Sequence, residues 1–164
     1  MGKIATKNEL QKRGIGIPDM LCETCDFEEE NANHLFAKCV TARSIWWNIF
    51  SWLKIPWQTN LDSLQEILDL IQNSPGAKTW KRHVHMIAIA TVWRIWNVRN
   101  RRIFEGEGIS VQKAVDLIKE DSFIWKLRSP PSLLRSPPSL LRSPPSLLRS
   151  PPQKPYVYLK NVCI

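Results

Sequence analysis

Apolar residues along this 164-residue chain recur at spacings near 3.6, which predicts a mainly α protein of four or five helices packed around residues 84–98. The first helix is short: Thr6 can cap it, Glu9 stands three residues on as in a capping box, and Gly14 offers a stop after Arg13. A second follows Cys39, with Thr41 placed as its cap and Ile45, Trp46, Ile49, Phe50, Trp52 and Leu53 as its apolar positions, and Pro56 ends it. Asn60 is placed to open a third, in which Leu61, Leu64, Ile67, Leu68 and Ile71 share a face, with Asp62 and Glu66 near its positive end.

After the turn at 73–76 comes a long helix over Ala77–Arg102. Trp80, Val84, Ile87, Ala88, Thr91, Ile95 and Val98 form one stripe, and Ile89, Val92, Trp93 and Trp96 form another. Only a narrow polar wedge of His83, Arg94, Asn97 and Arg101 is left, and a helix apolar on nearly every side belongs at the centre of its fold. Gly106 and Gly108 break the chain before Ser110 caps a last helix carrying Val111, Ala114, Val115, Ile118, Phe123 and Trp125.

From Arg128 the pattern changes to Arg-Ser-Pro-Pro-Ser-Leu-Leu repeated three times, then Arg-Ser-Pro-Pro. Two prolines in each repeat remove amide donors and clash with the preceding turn, so the period of seven cannot be a coiled coil. The expected organisation is therefore one helical domain over residues 1–126 and a disordered, proline-rich, low-complexity tail over 127–164. Composition agrees: all eight tryptophans lie between Trp46 and Trp125, while nine of twelve prolines follow residue 128.

The net charge of +8 invites a nucleic-acid reading, yet its distribution is uneven. Residues 1–126 hold 17 Lys or Arg against all 15 Asp or Glu, a net +2, and residues 127–164 add six basic groups and no acid. The longest apolar run, Met86–Trp96, contains Arg94 and is about half the roughly 20 residues that a membrane span needs. No apolar leader is visible at the N-terminus, so a soluble, intracellular protein with no membrane partner is expected.

Four residues carry the chemistry. Cys22-Glu-Thr-Cys25 is followed by His34 and Cys39, placing three thiols and an imidazole within 18 residues. Two cysteines separated by two residues can grip one metal ion from a single tight turn, and His34 and Cys39 complete a tetrahedron. Such a donor set takes one Zn2+ and leaves no position for water, which makes it structural: binding free energy becomes folding free energy. Reduced core cysteines beside an unrelated histidine, or a redox pair at Cys22 and Cys25, are the alternatives. Asp26, Glu28, Glu29 and Glu30, between the ligand pairs, read as a solvated loop.

Several segments together resemble a known family: Lys3-Ile-Ala-Thr-Lys7, Leu10, Arg13-Gly-Ile15, Cys22-x-x-Cys25, His34-Leu-Phe-x-x-Cys39, Ala42 with Trp46, and Trp96-Asn-x-Arg-Asn-x-Arg-Ile-Phe104. The chain over about residues 3–106 resembles the reverse-transcriptase zinc-binding domain of plant non-LTR (LINE-type) retrotransposons. The resemblance implies zinc ligands at Cys22, Cys25, His34 and Cys39, and a module that helps a retroelement protein handle nucleic acid without being catalytic itself. No polymerase segment and no acidic cluster of the ribonuclease H kind is visible, so a detached, non-enzymatic piece is expected.

RNA or single-stranded DNA is accordingly the expected partner, with no small-molecule substrate. Between Asp69 and Glu105 there is no acid, while Lys78, Lys81, Arg82, Arg94, Arg99, Arg101 and Arg102 supply positive charge. Arg99, Arg101 and Arg102 are the contact candidates, and the tryptophans are assigned to the core rather than to base stacking. The competing expectation is a zinc-stabilised structural or protein-interaction domain that binds no nucleic acid. His83-x-His85 is not a second metal pair, because residues two apart on a helix diverge by about 200°.

Overall fold

A computed structural model describes residues 4–128. Five α-helices, α1 (Lys7–Lys12), α2 (Val40–Leu53), α3 (Leu64–Asn73), α4 (Lys78–Glu105) and α5 (Val111–Arg128), are joined by a π-helical turn at His34–Lys38 ahead of α2. The described residues contain no strand, only an isolated antiparallel bridge between Leu21 and Glu29. The mainly helical class follows from the sequence pattern, whereas the repeat from residue 129 onward lies outside the described residues.

Two caps sit where the pattern places them. Thr6 is extended and its hydroxyl accepts from Glu9 N, and Ser110 Oγ accepts from Lys113 N at the start of α5. Two others differ. Cys39, not Thr41, caps α2, while Thr41 turns its hydroxyl to the Thr24 carbonyl. Helix α3 starts after Ser63 rather than at Asn60, because Ser63-x-x-Glu66 forms the stronger start signal. Ser63 Oγ accepts from Glu66 N at 3.2 Å, and the Glu66 carboxylate reaches back to Asp62 N at 2.7 Å. Leu61 is buried all the same, from the extended segment ahead of the helix.

Helix α4, 28 residues and so about 42 Å long, packs against α5, α3, α2 and the π-helical turn. Val84, Ile87, Ala88, Thr91, Ile95 and Val98 of its first stripe are buried, and the wedge residue Arg94 is taken up by an ion pair with Asp121 of α5. The helix ends at Gly106, whose φ of 70° is the left-handed conformation that glycine adopts at least cost. Among the described tryptophan side chains only Trp46 is fully buried, and its indole N–H is satisfied by the Phe36 carbonyl at 2.8 Å. Trp52, expected among the apolar positions of this helix, is 43% exposed at the rim of the core with the Lys119 ammonium of α5 over its ring, and its neighbour in the pattern Trp47 is exposed as well.

One interaction spans the domain. Glu30, fully buried, does not belong to a solvated loop. Its carboxylate accepts two charge-assisted bonds from Arg99 of α4, 69 residues away, at 2.6 and 3.0 Å, and a third from Lys7 N at 3.0 Å. Its backbone pairs with Met20 and Asn8. Arg99 also lies over the Trp96 ring, 4.9 Å from the centroid. A charge removed from water needs this density of partners, and removing one of them leaves the other buried and unmatched. Arg99→Met is therefore expected to destabilise the domain by about 3–5 kcal/mol in urea unfolding. Arg102→Gln, which breaks only an exposed pair with Asp26, should cost under about 1 kcal/mol.

Candidate metal centre

The first two candidate ligands stand on a knuckle. Cys22 N donates to Glu28 O and Glu30 N to Met20 O, closing a short hairpin, while Cys25 N and Asp26 N both turn back onto the Cys22 carbonyl. Asp26 takes a left-handed φ of 57° to complete the turn. Such a turn lets two thiols two residues apart face the same point.

The other two candidates are supplied by the π-helical turn. Its closing bond runs from Cys39 N to His34 O at 2.7 Å, an i to i+5 ring, and Asn31 Oδ1 anchors the entrance by accepting from His34 N. In an α-helix, residues five apart point about 140° away from each other. The wider ring brings His34 and Cys39 onto one side, so the local irregularity serves the site.

The three Sγ atoms and the imidazole nitrogen lie within 4.8 Å of one another. Cys22 Sγ is 4.0 Å from Cys39 Sγ, and Cys25 Sγ is 3.2 Å from His34 Nε2. With zinc–sulfur bonds of about 2.3 Å, sulfurs at the corners of a tetrahedron stand about 3.8 Å apart, so a cluster of this size can close on one Zn2+ by small side-chain movements. Cys22, His34 and Cys39 are buried and Cys25 partly so. An ion held by Cys22, Cys25, His34 and Cys39 would have no place left for water and would supply a cross-link between hairpin and π-turn.

The surroundings prepare the donors. His34 Nε2 faces the cluster because Nδ1 is held by the Glu28 carboxylate at 3.0 Å, which fixes the orientation of the ring. Thr24 Oγ1 lies 3.1 Å from both Cys22 Sγ and Cys39 Sγ. Its hydroxyl can donate to only one of the two at a time. The two buried thiols share a proton: Cys22 donates to Cys39, which drives the Cys22 thiol above its ordinary range, and burial pushes the same way. Cys39 accepts that bond, the Thr24 hydroxyl and the N–H groups of Ala42 and Thr41 at the start of α2, and it is lowered to about 4. A thiolate at the N-terminus of a helix also meets the positive end of the macrodipole.

The nucleic-acid candidates are dispersed. Arg99 is enclosed in its pair with Glu30 and presents no guanidinium to solvent, so the place given to it by charge counting is taken by a structural role. Arg101 bridges Glu105 and Glu107, and Arg102 pairs with Asp26 on the ligand hairpin. These two are half-exposed. His85 is exposed and His83 partly buried, with neither in the metal cluster. Sequence reasoning missed Glu28, Glu30 and Thr24. The signal for Glu28 was its position six residues before a candidate ligand histidine, but nothing local marks Glu30.

Residues 1–46 match a family described as zinc-binding in reverse transcriptase, a segment that contains all four candidate ligands. No curated protein and no solved structure matches the chain. The match ends before α4, so Arg99 lies outside it.

Cys22→Ser should abolish stoichiometric zinc in the purified protein, whereas Glu28→Gln should retain zinc at about 10–100-fold lower affinity in a chelator competition, because it removes only the support of His34. Zinc must displace the proton that Cys22 holds, so loading near neutral pH releases acid, and affinity falls as pH drops. Titration in a weakly buffered indicator solution measures both.

Proposed function

Taking residues 1–46 as a zinc-binding domain of the reverse-transcriptase type, we propose that the chain is a non-catalytic, zinc-organised helical module that associates with RNA or single-stranded DNA. A LINE-type retroelement origin, as the wider residue pattern suggests, belongs to the same proposal. The observation that carries it is the closed donor set: four protein ligands gather within 4.8 Å and leave the metal to hold structure rather than to activate water. By its description the matched family works in enzymes that copy nucleic acid, and this supports the choice of partner.

Arg101 and Arg102, near the C-terminal end of α4, are the proposed phosphate contacts. Their present partners are exposed carboxylates, which a phosphate can replace at little cost. Arg99 does not join them, because its substitution would act through folding. The second reading, a structural or protein-interaction domain, is favoured by one observation: all three guanidinium groups already have acidic partners within the chain.

No helix among the described residues is long and apolar enough to cross a membrane. The zinc-loaded protein is expected to bind a labelled single-stranded RNA with an affinity that falls steeply as salt rises. Arg101→Gln combined with Arg102→Gln should lower both the affinity and the salt slope, the slope by about 0.7 for each phosphate no longer neutralised. Fluorescence anisotropy across a salt series makes the measurement, and absence of binding at low salt would select the second reading.

A further inference from the structure

The exposed face of α2 carries a feature that the metal centre does not use. Val40, Arg43, Ser44 and Trp47 follow one another at helical spacing, and with Asn48 and Trp57 they line an open groove of about 440 Å³. Trp47 is 56% exposed although it is among the largest apolar side chains in the chain, so its indole presents a bare face to solvent. Trp57 is held against Phe50 edge-on at 5.2 Å, and Phe50 is fully buried, so this second indole is fixed from behind by the core.

The polar side of the groove is basic. Arg43 and Lys38 converge on one carboxylate, Asp62, at 3.2 and 4.0 Å, and the Asp62 side chain is itself more than half exposed. The Glu66 carboxylate stands beside them, on Asp62 N and within reach of the Lys38 charge, so the cluster is balanced at rest and a phosphate would bind by displacing the exposed Asp62 side chain from Arg43 and Lys38. The Arg43 contact to Asp62 is made through one terminal guanidinium nitrogen, and the side chain is 39% exposed, so that end of the group can be reached from the groove.

We propose that this groove binds single-stranded nucleic acid, with a base stacked on Trp47 and its phosphate held by Arg43 and Lys38. The proposal rests on the nucleic-acid reading above and moves its centre from α4 to α2. The lining surface is mostly apolar and aromatic, with Arg43, Ser44 and Asn48 as its polar side chains, which suits the π-face of a base with its hydrogen-bonding edges and phosphate turned to those three. Stacking on an indole tolerates any base, so the groove selects single strands over duplexes, whose bases are already stacked.

The test uses the full, zinc-loaded chain with oligouridylate, oligothymidylate and a duplex of matching length, followed by anisotropy and by quenching of tryptophan fluorescence. Trp47→Ala alters an exposed side chain and should fold normally. It is expected to weaken single-strand binding at least about fivefold while leaving the salt slope unchanged, because it removes stacking and no charge. Arg43→Gln should reduce the slope as well, by about 0.7. Trp47→Ala binding as tightly as the parent, while the Arg101→Gln, Arg102→Gln variant is weakened, would overturn this site and leave the broader reading standing. No binding of any oligonucleotide by the parent protein at low salt overturns both. Loss of self-association in Trp47→Ala by sedimentation, with oligonucleotide affinity intact, would overturn the site in favour of a second copy of this chain.

Discussion

A carboxylate taken entirely out of water has to find its solvation within the protein, and Glu30 does so by joining three parts of the chain. It collects two bonds from Arg99 and one from Lys7 N, while its own backbone continues the ligand hairpin into the loop before the π-turn. Lys7 in turn sends its ammonium to the Leu21 carbonyl and to Glu23, beside the first ligand cysteine. The hairpin that presents Cys22 and Cys25 is thus clamped to α1 on one side and to α4 on the other.

This clamp changes what counts as the zinc unit. The family match covers residues 1–46, but the buried charge within that stretch is neutralised from position 99. A segment cut at the family boundary would expose Glu30 and Trp46 and lose the Arg99 counter-charge. Metal site and helical bundle therefore form one cooperative body, in which zinc ties hairpin to π-turn and Glu30 ties hairpin to α4.

The ligand geometry shows how an irregular element can be the productive one. Three thiolates and zinc carry a net charge of −1, which is costly to bury. Cys39 meets that cost at the N-terminus of α2, where Thr41 and Ala42 turn their amides toward its sulfur. The same residue closes the π-helical ring that brings His34 around. Cap, ligand and ring closure fall on a single cysteine, which is why the helix begins there and not at Thr41.

Helical class, the central place of α4 and the four side chains that gather as candidate metal donors were legible in the sequence, because each rests on spacing within a short stretch. Periodicity of 3.6 makes an apolar stripe, and Cys-x-x-Cys followed by His and Cys makes a donor set whatever surrounds it. The partners of individual charges were not legible. Arg99, Arg101 and Arg102 look alike along the chain, yet one is buried against an acid 69 residues away and two lie at the surface. Trp46 and Trp47 are neighbours with opposite fates, since successive residues on a helix turn about 100° and only the packing of α2 decides which side is covered. Local pattern sets what a residue can do; burial, which sums contributions from distant parts of the chain, decides which charges are satisfied and which aromatic faces remain open.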